Sequence, residues 1–294
     1  MYERIVAGTD LSKTAEIATQ RAAALARGLS AKLVLVHAGS NPGPSLDDLA
    51  KSFDAEVIVD KGNPVDVLLG AAESGDDATL LVVGSVGMSG ARRFMLGNVP
   101  NKVSHSARTD LLIVKTDPPR GGWGDEMGEV GPYSKIMVGT DGSTTAMSAV
   151  DRAADLAAAL GAELLIVCAY DPPSDAELER MAASAGSISA QWDADRSLRG
   201  VPDEFRWRIA GAAQAQDVLE RSEEHAGKHG VDAEVRTVRG AAPEVLTSIA
   251  EEEDFELIVV GSVGMTGAQR FKLGNVPHRI SHHAPTHLLI LRTN

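Results

Sequence analysis

Two nearly identical glycine-rich stretches carry the residues of this chain that are best suited to holding a phosphate group. Residues 84–116 align without gaps with residues 261–293, and 22 of the 33 positions are identical. Each copy begins directly after a short apolar run, residues 80–83 or 257–260, which is typical of a parallel strand buried on both faces. Ligands usually bind at this edge of an open parallel sheet, and glycines there let a ligand approach the backbone. The duplication therefore predicts two ligand sites, one in each half of the chain.

A second loop in each copy leads into a predicted helix. Gly97 and Asn98 stand just before an apolar-periodic segment at residues 99–107, and Gly274 and Asn275 do the same in the second copy. The free N–H groups and the dipole of a helix N-terminus favour an anion. Asparagine could donate a hydrogen bond to that anion or could cap its own helix, and the sequence leaves both roles open.

A carboxylate follows the first predicted strand of each half. The strands at residues 4–8 and 136–139 are followed by Thr9 and Asp10 in one half and by Thr140 and Asp141 in the other. The next helix of each half is predicted to begin after a serine cap and to stop at a glycine. These caps and stops are Ser12 with Gly28, and Ser143 with Gly161.

The remaining segments alternate between strands and helices in both halves. Further strands are predicted at residues 32–38, 55–59, 110–115, 163–169, 233–238 and 287–292. This alternation implies right-handed crossovers and a doubly wound sheet. We therefore expect an α/β protein of two tandem Rossmann-like domains, each a five-stranded parallel sheet flanked by helices. The fifth strands are expected to pair with each other, because exposed apolar edges would promote aggregation.

The two predicted domains differ in length after their second strands. Residues 1–117 form domain 1, residues 118–132 a linker rich in glycine and proline, and residues 133–294 domain 2. The offset between the copies grows from 131 (139 − 8) at the first strand to 177 (261 − 84) at the glycine motif, so domain 2 has 46 extra residues. This insert lies at about residues 171–230. Helices are predicted in this part of each domain, at residues 45–53, 174–185 and 203–228.

The charge and composition of the chain narrow the classes of function. A formal net charge of −13 and a pI near 5.0 argue against a nucleic-acid backbone or an anionic membrane as the main partner. The single cysteine, Cys168, lies in an apolar run and is predicted to be a buried, inert thiol, which fits a reducing compartment. No apolar run approaches the roughly 18 residues of a membrane span. We therefore expect a cytoplasmic protein.

No pattern in the sequence identifies a catalytic base. The chain has neither a Walker G-x4-G-K-[ST] loop nor a G-x-S-x-G nucleophile elbow. Four histidines near the C-terminus lack an accompanying cluster of cysteines or carboxylates, so no metal site is expected. They are His278, His282, His283 and His287. We expect that the protein is not an enzyme, or at most a weak ATPase.

The pattern G-x2-G-x9-G after strand four, together with Thr-Asp after strand one, resembles the nucleotide-binding branch of the universal stress protein family. The resemblance covers both halves from end to end, so the chain is similar to a tandem universal stress protein. In that family ATP lies across the ends of strands one, two and four of a five-stranded parallel sheet. The resemblance therefore implies that ATP or another adenine nucleotide binds, with or without Mg²⁺.

Matching the motif residue by residue implies a set of nucleotide-binding positions. Asp10 and Asp141 would contact the ribose or a metal-bound phosphate, and the backbone of Ala38 and Ala169 would meet the adenine. The loops would surround the ribose and the phosphates. The implied set is Gly8, Thr9, Asp10, Ala38, Gly84, Gly87, Gly97, Asn98 and Val99 in the first half, and Gly139, Thr140, Asp141, Ala169, Gly261, Gly264, Gly274, Asn275 and Val276 in the second.

Three functions are compatible with these residues. The first is a cytosolic stress-response protein that binds an adenine nucleotide and reports it through dimer shape or partner binding. The second is a slow ATPase or a self-phosphorylating enzyme, and the third is a scaffold that keeps the loops for packing. The conceivable phosphate acceptors of the second function are Ser85, Ser89, Ser262 and Thr266.

We also expect two levels of pairing and two unequal sites. The halves should form a pseudo-dimer within the chain, and two chains a homodimer, while the sequence specifies no protein partner. The second half is expected to bind nucleotide more tightly, because Gly142 stands where the first half has Leu11, whose side chain could crowd the ligand. The short stretch from Gly39 to Asp54 would also leave the first adenine pocket more open to water. The opposing possibility is that the longer insert folds over the second site and closes it.

Overall fold

The computed structural model describes most of both halves of the chain. The described residues are 1–40, 42–74, 78–86, 96–116, 130–170, 212–263 and 273–292, with the backbone alone at residues 212–214. Gly87, Gly264, Ser89, Thr266, most of the linker and the insert up to residue 211 lie outside these ranges. The helix predicted at residues 174–185 and the start of the one predicted at 203–228 are likewise outside them.

Strands and helices alternate as predicted, and we number the described elements in chain order. The first half contains β1 (Arg4–Gly8), α1 (Lys13–Leu29), β2 (Lys32–Ala38), α2 (Pro44–Phe53), β3 (Glu56–Asp60), α3 (Pro64–Glu73), β4 (Thr79–Gly84), α4 (Asn98–Ser106) and β5 (Asp110–Val114). The second half contains β6 (Lys135–Gly139), α5 (Thr144–Leu160), β7 (Glu163–Tyr170), α6 (Ala212–Lys228), β8 (Glu234–Arg239), α7 (Ala242–Glu252), β9 (Leu257–Gly261), α8 (Asn275–His283) and β10 (His287–Leu291).

The ten strands form one continuous sheet in the order β3-β2-β1-β4-β5-β10-β9-β6-β7-β8. Within each half, neighbouring strands are parallel, as a doubly wound fold requires. The halves join where β5 and β10 pair antiparallel, with Leu112 opposite Leu289. Both of these leucines are almost fully buried. The predicted fold class and the predicted pairing of the fifth strands are therefore confirmed.

Helices cover both faces of the sheet, so successive strand residues pack into two different apolar clusters. In β1, for example, Ile5 and Ala7 join the cluster beneath α1, while Val6 joins the cluster beneath α3 and α4. Burial of both strand faces explains why the sequence shows continuous apolar runs instead of alternation. Because both faces of the strands are covered, the strand ends are the part of the sheet that a ligand can reach.

Helix α1 ends later than the sequence indicates. Gly28 was predicted to stop it, but the helix continues to Leu29 and ends at Ser30, which has a left-handed φ of 54° and donates its N–H to Ala26 and Arg27. A Cβ on Gly28 would lie 2.6 Å from the end of the Leu160 side chain of α5, so the glycine leaves room for that leucine where the two helices meet. In the second half the prediction is confirmed, since Gly161 ends α5 with a φ of 67°.

Paired cation–π contacts join the two halves across the junction. The guanidinium of Arg152 in α5 lies 4.6 Å from the centre of the Tyr2 ring, and that of Arg21 in α1 lies 4.5 Å from the centre of the Tyr133 ring. Each arginine thus reaches the tyrosine that precedes the first strand of the opposite half. The two halves are arranged as a pseudo-dimer within one chain.

Two predictions from the sequence concern membrane-spanning helices and the single cysteine. Of the helices that the structure describes, none has the length and apolar character needed to cross a membrane. Cys168 is a buried free thiol, as predicted. Burial, with a smaller contribution from the charge of Asp141, raises the pKa of this thiol to about 12, so it is protonated and unreactive near neutral pH.

Candidate functional site

The end of β1 is held by a short network of backbone and side-chain hydrogen bonds. The N–H of Thr9 donates to the carbonyl of Val36 over 2.9 Å, which ties the ends of β1 and β2 together. The Thr9 hydroxyl accepts from the N–H of Leu11 at 3.1 Å, and the Asp10 carboxylate accepts from the N–H of Ser12 at 3.1 Å. Asp and Thr favour such turns because their side-chain oxygens can reach the backbone two residues on.

Ser12 then caps α1, as predicted, by accepting the N–H of Ala15 at 3.2 Å. The Ser12 hydroxyl also donates to the Asp10 carboxylate. This cap fixes the helix start and the carboxylate together. The sequence Thr-Asp-x-Ser therefore places Asp10 at a defined position on the sheet edge.

The end of β4 is brought against the start of α4. The N–H of Ser85 donates to the carbonyl of Val114, and the carbonyl of Ser85 accepts the N–H of Gly97, both at 2.7 Å. A Cβ on Gly97 would lie 3.3 Å from that same carbonyl oxygen, which is tighter than ordinary contact. Glycine at position 97 therefore permits the close approach that aims the helix at the strand end.

The hydroxyl of Ser85 is engaged in the fold. Ser85 is 3% exposed, and its hydroxyl accepts the N–H of Thr116 at 3.0 Å and lies 3.2 Å from the Thr116 hydroxyl. Ser262, the matching residue of the second half, is also 3% exposed. These burials disfavour both serines as phosphate acceptors.

The N-terminus of α4 presents two backbone donors. Gly97 is the N-cap and makes no side-chain cap, so Asn98 is the first helical residue and does not cap its own helix. Helix geometry leaves the N–H groups of Asn98 and Val99 without an acceptor inside the helix. Pro100 has no N–H, and Asn101 already donates to the carbonyl of Gly97 at 3.0 Å. Two N–H groups are thus available to an anion at this point.

These strand and helix ends surround a cavity of about 600 Å³. This volume is in the range of a small-molecule site. All the predicted first-half positions within the described residues line it. The lining residues are Gly8, Thr9, Asp10, Ala15, Val36, His37, Ala38, Pro64, Leu68, Val83, Gly84, Val86, Gly97, Asn98, Val99 and Pro100.

Apolar side chains dominate the walls of this cavity, and its polar groups are few. Of the described residues that line it, none is Lys or Arg, and Asp10 is the acidic one. A phosphate here would therefore depend on backbone N–H groups, while Val36, Leu68 and Val83 offer flat apolar contact. An apolar wall facing a helix N-terminus suits a ligand with a planar ring at one end and an anion at the other.

Sequence reasoning missed His37, which lines the cavity beside Ala38. Its Nδ1 lies 3.0 Å from the carbonyl oxygen of Thr9. The available signal was a polar residue at the end of an otherwise apolar strand. Pro64 and Leu68 were missed because α3 contributes no motif, and only the fold brings that helix to the strand ends.

Gly8 and Gly139 are explained by packing as well as by their place in the motif. A Cβ on Gly8 would lie 2.7 Å from the side chain of Leu68, and one on Gly139 would lie 2.6 Å from that of Leu246. Both leucines belong to the helix that follows the third strand of their half. The glycines let this helix pack closely at the site edge.

The second half repeats the bonds that backbone N–H groups make at the ends of the first and fourth strands. The N–H of Thr140 donates to the carbonyl of Val167 at 2.9 Å, and the N–H of Ser143 donates to the Asp141 carboxylate at 3.0 Å. Gly274 donates to the carbonyl of Ser262 at 2.8 Å and is the N-cap of α8. Ala169, Gly261, Asn275 and Val276 take the positions that match Ala38, Gly84, Asn98 and Val99. The two halves therefore share one site architecture.

The contrast between Leu11 and Gly142 has a different cause from the one the sequence suggested. Leu11 packs against the apolar cluster beneath α1 and is absent from the cavity lining, so the expectation that it crowds the ligand is wrong. Both residues have positive φ, 61° and 74°. A Cβ on Gly142 would lie 2.7 Å from Val218, so the glycine makes room for α6.

Of the four histidines near the C-terminus, His278 lies at the contact between α4 and α8, the corresponding helices of the two halves. The ring centres of His105 in α4 and His278 in α8 are 5.8 Å apart, and those of His278 and His282 are 4.8 Å apart. Burial lowers the pKa of His105 and of His282. Within the described ranges, no three His, Cys, Asp or Glu side chains are arranged to hold a metal ion.

The chain is similar to known proteins over both halves. The universal stress protein Rv1636 of Mycobacterium tuberculosis is 34% identical over 162 residues, which span 55% of this chain and 97% of that protein. A solved putative universal stress protein from Pseudomonas aeruginosa covers 99% of this chain and 93% of its own, with 17% identity and a TM-score of 0.65. A solved universal stress protein in complex with cAMP covers 55% of this chain and 99% of its own, with 31% identity and a TM-score of 0.39.

The sequence model of the universal stress protein family also matches almost the full length of the chain. It covers residues 1–52, 45–115 and 132–292, so it matches both halves separately. The repeated match agrees with the duplicated strand order and the duplicated glycine loops. The chain therefore belongs to the universal stress protein family, as a tandem member with two family domains.

Proposed function

We propose that this chain is a cytosolic stress-response protein that binds an adenine nucleotide, foremost ATP, and acts through binding instead of catalysis. One observation carries the proposal. The first-half cavity combines an apolar wall, a carboxylate and two available helix N–H groups within about 600 Å³. These three features correspond to the base, the ribose and the phosphates of a nucleotide.

The phosphates would be held at the start of α4. The N–H groups of Asn98 and Val99 point out of the helix N-terminus, where the helix dipole adds favourable potential for an anion. Gly84 and Gly97 keep the surrounding backbone free of Cβ atoms. Local donors are essential because the chain as a whole carries a net charge of −13, which repels anions.

The sugar and the base would occupy the ends of β1 and β2. One oxygen of Asp10 already accepts from Ser12, and this bond orients the carboxylate, whose oxygens can accept from ribose hydroxyls. Val36 and Leu68 would contact the faces of the base. Ala38, at the end of β2, would place its backbone beside the base edge.

The repeated network supports a second site of the same kind in the other half. Thr140, Asp141, Gly274 and Asn275 occupy the matching positions. The bonds of Thr140, Asp141 and Gly274 match those of Thr9, Asp10 and Gly97. We propose that each half holds one nucleotide. Mg²⁺ would accompany the phosphates if Asp10 and Asp141 contact them through a metal.

The slow-ATPase alternative has less support from the described residues. Hydrolysis needs a positioned base for the attacking water, and self-phosphorylation needs an accessible hydroxyl. Ser85 and Ser262 are buried at 3% exposure, and the Ser85 hydroxyl is already hydrogen-bonded. Release of phosphate above background by the purified protein would favour the enzymatic alternative.

Thermal unfolding in the presence of nucleotides tests the proposal. A ligand present at about 100 times its dissociation constant adds about 2.7 kcal/mol to the free energy of unfolding. For domains of this size each kcal/mol raises Tm by about 2 to 4 °C. We expect a rise of several degrees with ATP, ADP, AMP or cAMP, measured with and without Mg²⁺. A flat series up to millimolar concentrations would contradict the proposal.

A further inference from the structure

The hydrogen bond of His37 fixes which nitrogen of its imidazole ring can act as an acceptor. Nδ1 lies 3.0 Å from the carbonyl oxygen of Thr9, and a carbonyl oxygen can only accept. In the neutral ring the proton is therefore on Nδ1, and Nε2 carries a lone pair. His37 thus offers a hydrogen-bond acceptor at the cavity.

The partner of His37 is itself held in place. Thr9 donates its N–H to Val36 and accepts the N–H of Leu11 through its hydroxyl. The Thr9 carbonyl therefore has a fixed position, and the ring that donates to it is oriented by the fold. An oriented acceptor discriminates between ligands better than one that rotates freely.

Gly39 leaves Nε2 of His37 uncovered on one side. A Cβ at position 39 would lie 3.4 Å from Nε2 and 3.9 Å from Cδ2, so a side chain there would pack on the acceptor. Gly39 has a φ of 148°, and its N–H donates to the carbonyl of Asp60 at 2.8 Å. The ring consequently remains accessible beside Ala38, where the proposed function places the base edge.

The second half lacks both features. The pairing of β6 with β7 repeats that of β1 with β2, so the position matching His37 is Cys168 and the position matching Gly39 is Tyr170. Cys168 is buried, and a thiol is a weak acceptor. The difference between the halves therefore lies at the edge of the site where the proposed function places the base.

We propose that His37 makes the first-half site selective for a 6-aminopurine over a 6-oxopurine. Nε2 accepts a hydrogen bond from the exocyclic N6–H of adenine, whereas the O6 of hypoxanthine or guanine would place two lone pairs against each other. This inference rests on the proposed nucleotide site. In the proposed site, the backbone of Ala38 supplies the other contact at this edge of the base. His37 adds a side chain that selects between bases.

The test compares ATP with ITP, which differ only at position 6 and in the protonation of N1. The second site is disabled by Asn275→Asp, because a carboxylate at a helix N-terminus suits the helix but repels a phosphate. Titration calorimetry then reports on the first site. We expect ATP to bind at least about tenfold more tightly than ITP, as one lost hydrogen bond with an unpaired buried acceptor implies.

Two substitutions of His37 should reduce this ratio in different ways. In His37→Gln the amide can turn either its oxygen or its NH₂ toward the base, so ITP binding should improve while ATP binding changes little. In His37→Phe a ring remains but the acceptor is lost, so ATP binding should weaken while ITP binding stays the same. Both ratios should fall to within about threefold. Unliganded Tm values close to that of the parent would show that the variants fold.

The outcomes separate this inference from the function on which it rests. If ATP binds but ITP binds equally well, or if the ratio is unchanged in both variants, selection by His37 is wrong and nucleotide binding stands. If neither nucleotide binds the Asn275→Asp protein or the parent, the proposed function is wrong and the inference fails with it.

Discussion

The Tyr2 hydroxyl donates a hydrogen bond of 2.7 Å to the carboxylate of Asp110, whereas the matching hydroxyl of Tyr133 lies 3.1 Å from Nδ1 of His287. The same position of the duplicated fold thus holds an acid in one half and an imidazole in the other. Both pairs lie at the junction of the halves, next to the antiparallel strands β5 and β10. The difference has measurable consequences for stability.

Removal of the Tyr2 hydroxyl should be more costly than removal of the Tyr133 hydroxyl. Burial raises the pKa of Asp110, and the bond from Tyr2 offsets part of that burial by favouring the charged form. Tyr2→Phe would leave a mostly buried carboxylate with one donor fewer, at a cost of about 1.5 to 3 kcal/mol. Tyr133→Phe, the matched control, removes a bond between neutral groups and should cost about 0.5 to 1.5 kcal/mol. Urea unfolding of both variants at pH 7 measures these costs. A larger loss of unfolding free energy in Tyr133→Phe than in Tyr2→Phe would refute this order.

His287 should make the fold sensitive to mild acid. Burial lowers its pKa to about 3, and the nearby charges of Arg21 and Lys115 act in the same direction. Because the pKa in the folded state is below the unfolded value of about 6.5, the stabilisation is present above pH 6.5 and is lost as pH falls toward 3. At pH 5 the loss is about 1 to 2 kcal/mol, on the order of what the shift implies.

The pH dependence can be assigned to this one ring with a substitution. In His287→Gln an amide replaces the titrating group and can still pair with the Tyr133 hydroxyl. The free energy of unfolding of this variant should fall less between pH 7 and pH 5 than that of the parent. His283→Gln serves as the control, because His283 is exposed. Equal slopes for the parent and His287→Gln would contradict the assignment.

Gly142 should tolerate alanine less well than Gly161 does. Both glycines have left-handed φ values, 74° and 67°, so alanine costs about 1 to 2 kcal/mol of backbone strain at either position. At position 142 the new Cβ would also lie 2.7 Å from Val218, whereas nothing lies within 4 Å at position 161. We expect Gly142→Ala to lose about 1 to 3 kcal/mol more. Indistinguishable urea midpoints for Gly142→Ala and Gly161→Ala would contradict this expectation, because they would mean that α6 shifts to admit the Cβ without loss of stability.

The sequence predicted the sheet well because its strands are buried on both faces. Residues 80–83 and 257–260 are continuous apolar runs, and such runs have few alternatives to a central parallel strand. The pairing of β5 with β10 also followed from composition, since Leu112 and Leu289 could not remain at an exposed edge. These features depend on local pattern.

The misjudged features depend on contacts between distant segments. Gly28 has the residue type of a helix stop, but it lies inside α1, where its missing Cβ leaves room for Leu160 from the other half. Gly142 resembles a ligand-facing glycine, but Val218 of α6 accounts for it. His37 is oriented by the carbonyl of Thr9, which directly follows the neighbouring strand β1. No periodicity or motif encodes such neighbours, so only the fold reveals them.

The most direct test of nucleotide binding is calorimetric titration of ATP into the parent and into the double variant Asn98→Asp, Asn275→Asp. Each substitution adds a negative charge at the first residue of α4 or α8, where it favours the helix and opposes a phosphate. The matched control is Asn98→Ser with Asn275→Ser, which adds no charge. Saturable binding to the parent and to the serine control, with a loss of about tenfold or more in the aspartate variant, is the predicted result. No saturable binding to the parent up to millimolar ATP, or equal binding to the aspartate variant, would contradict the account.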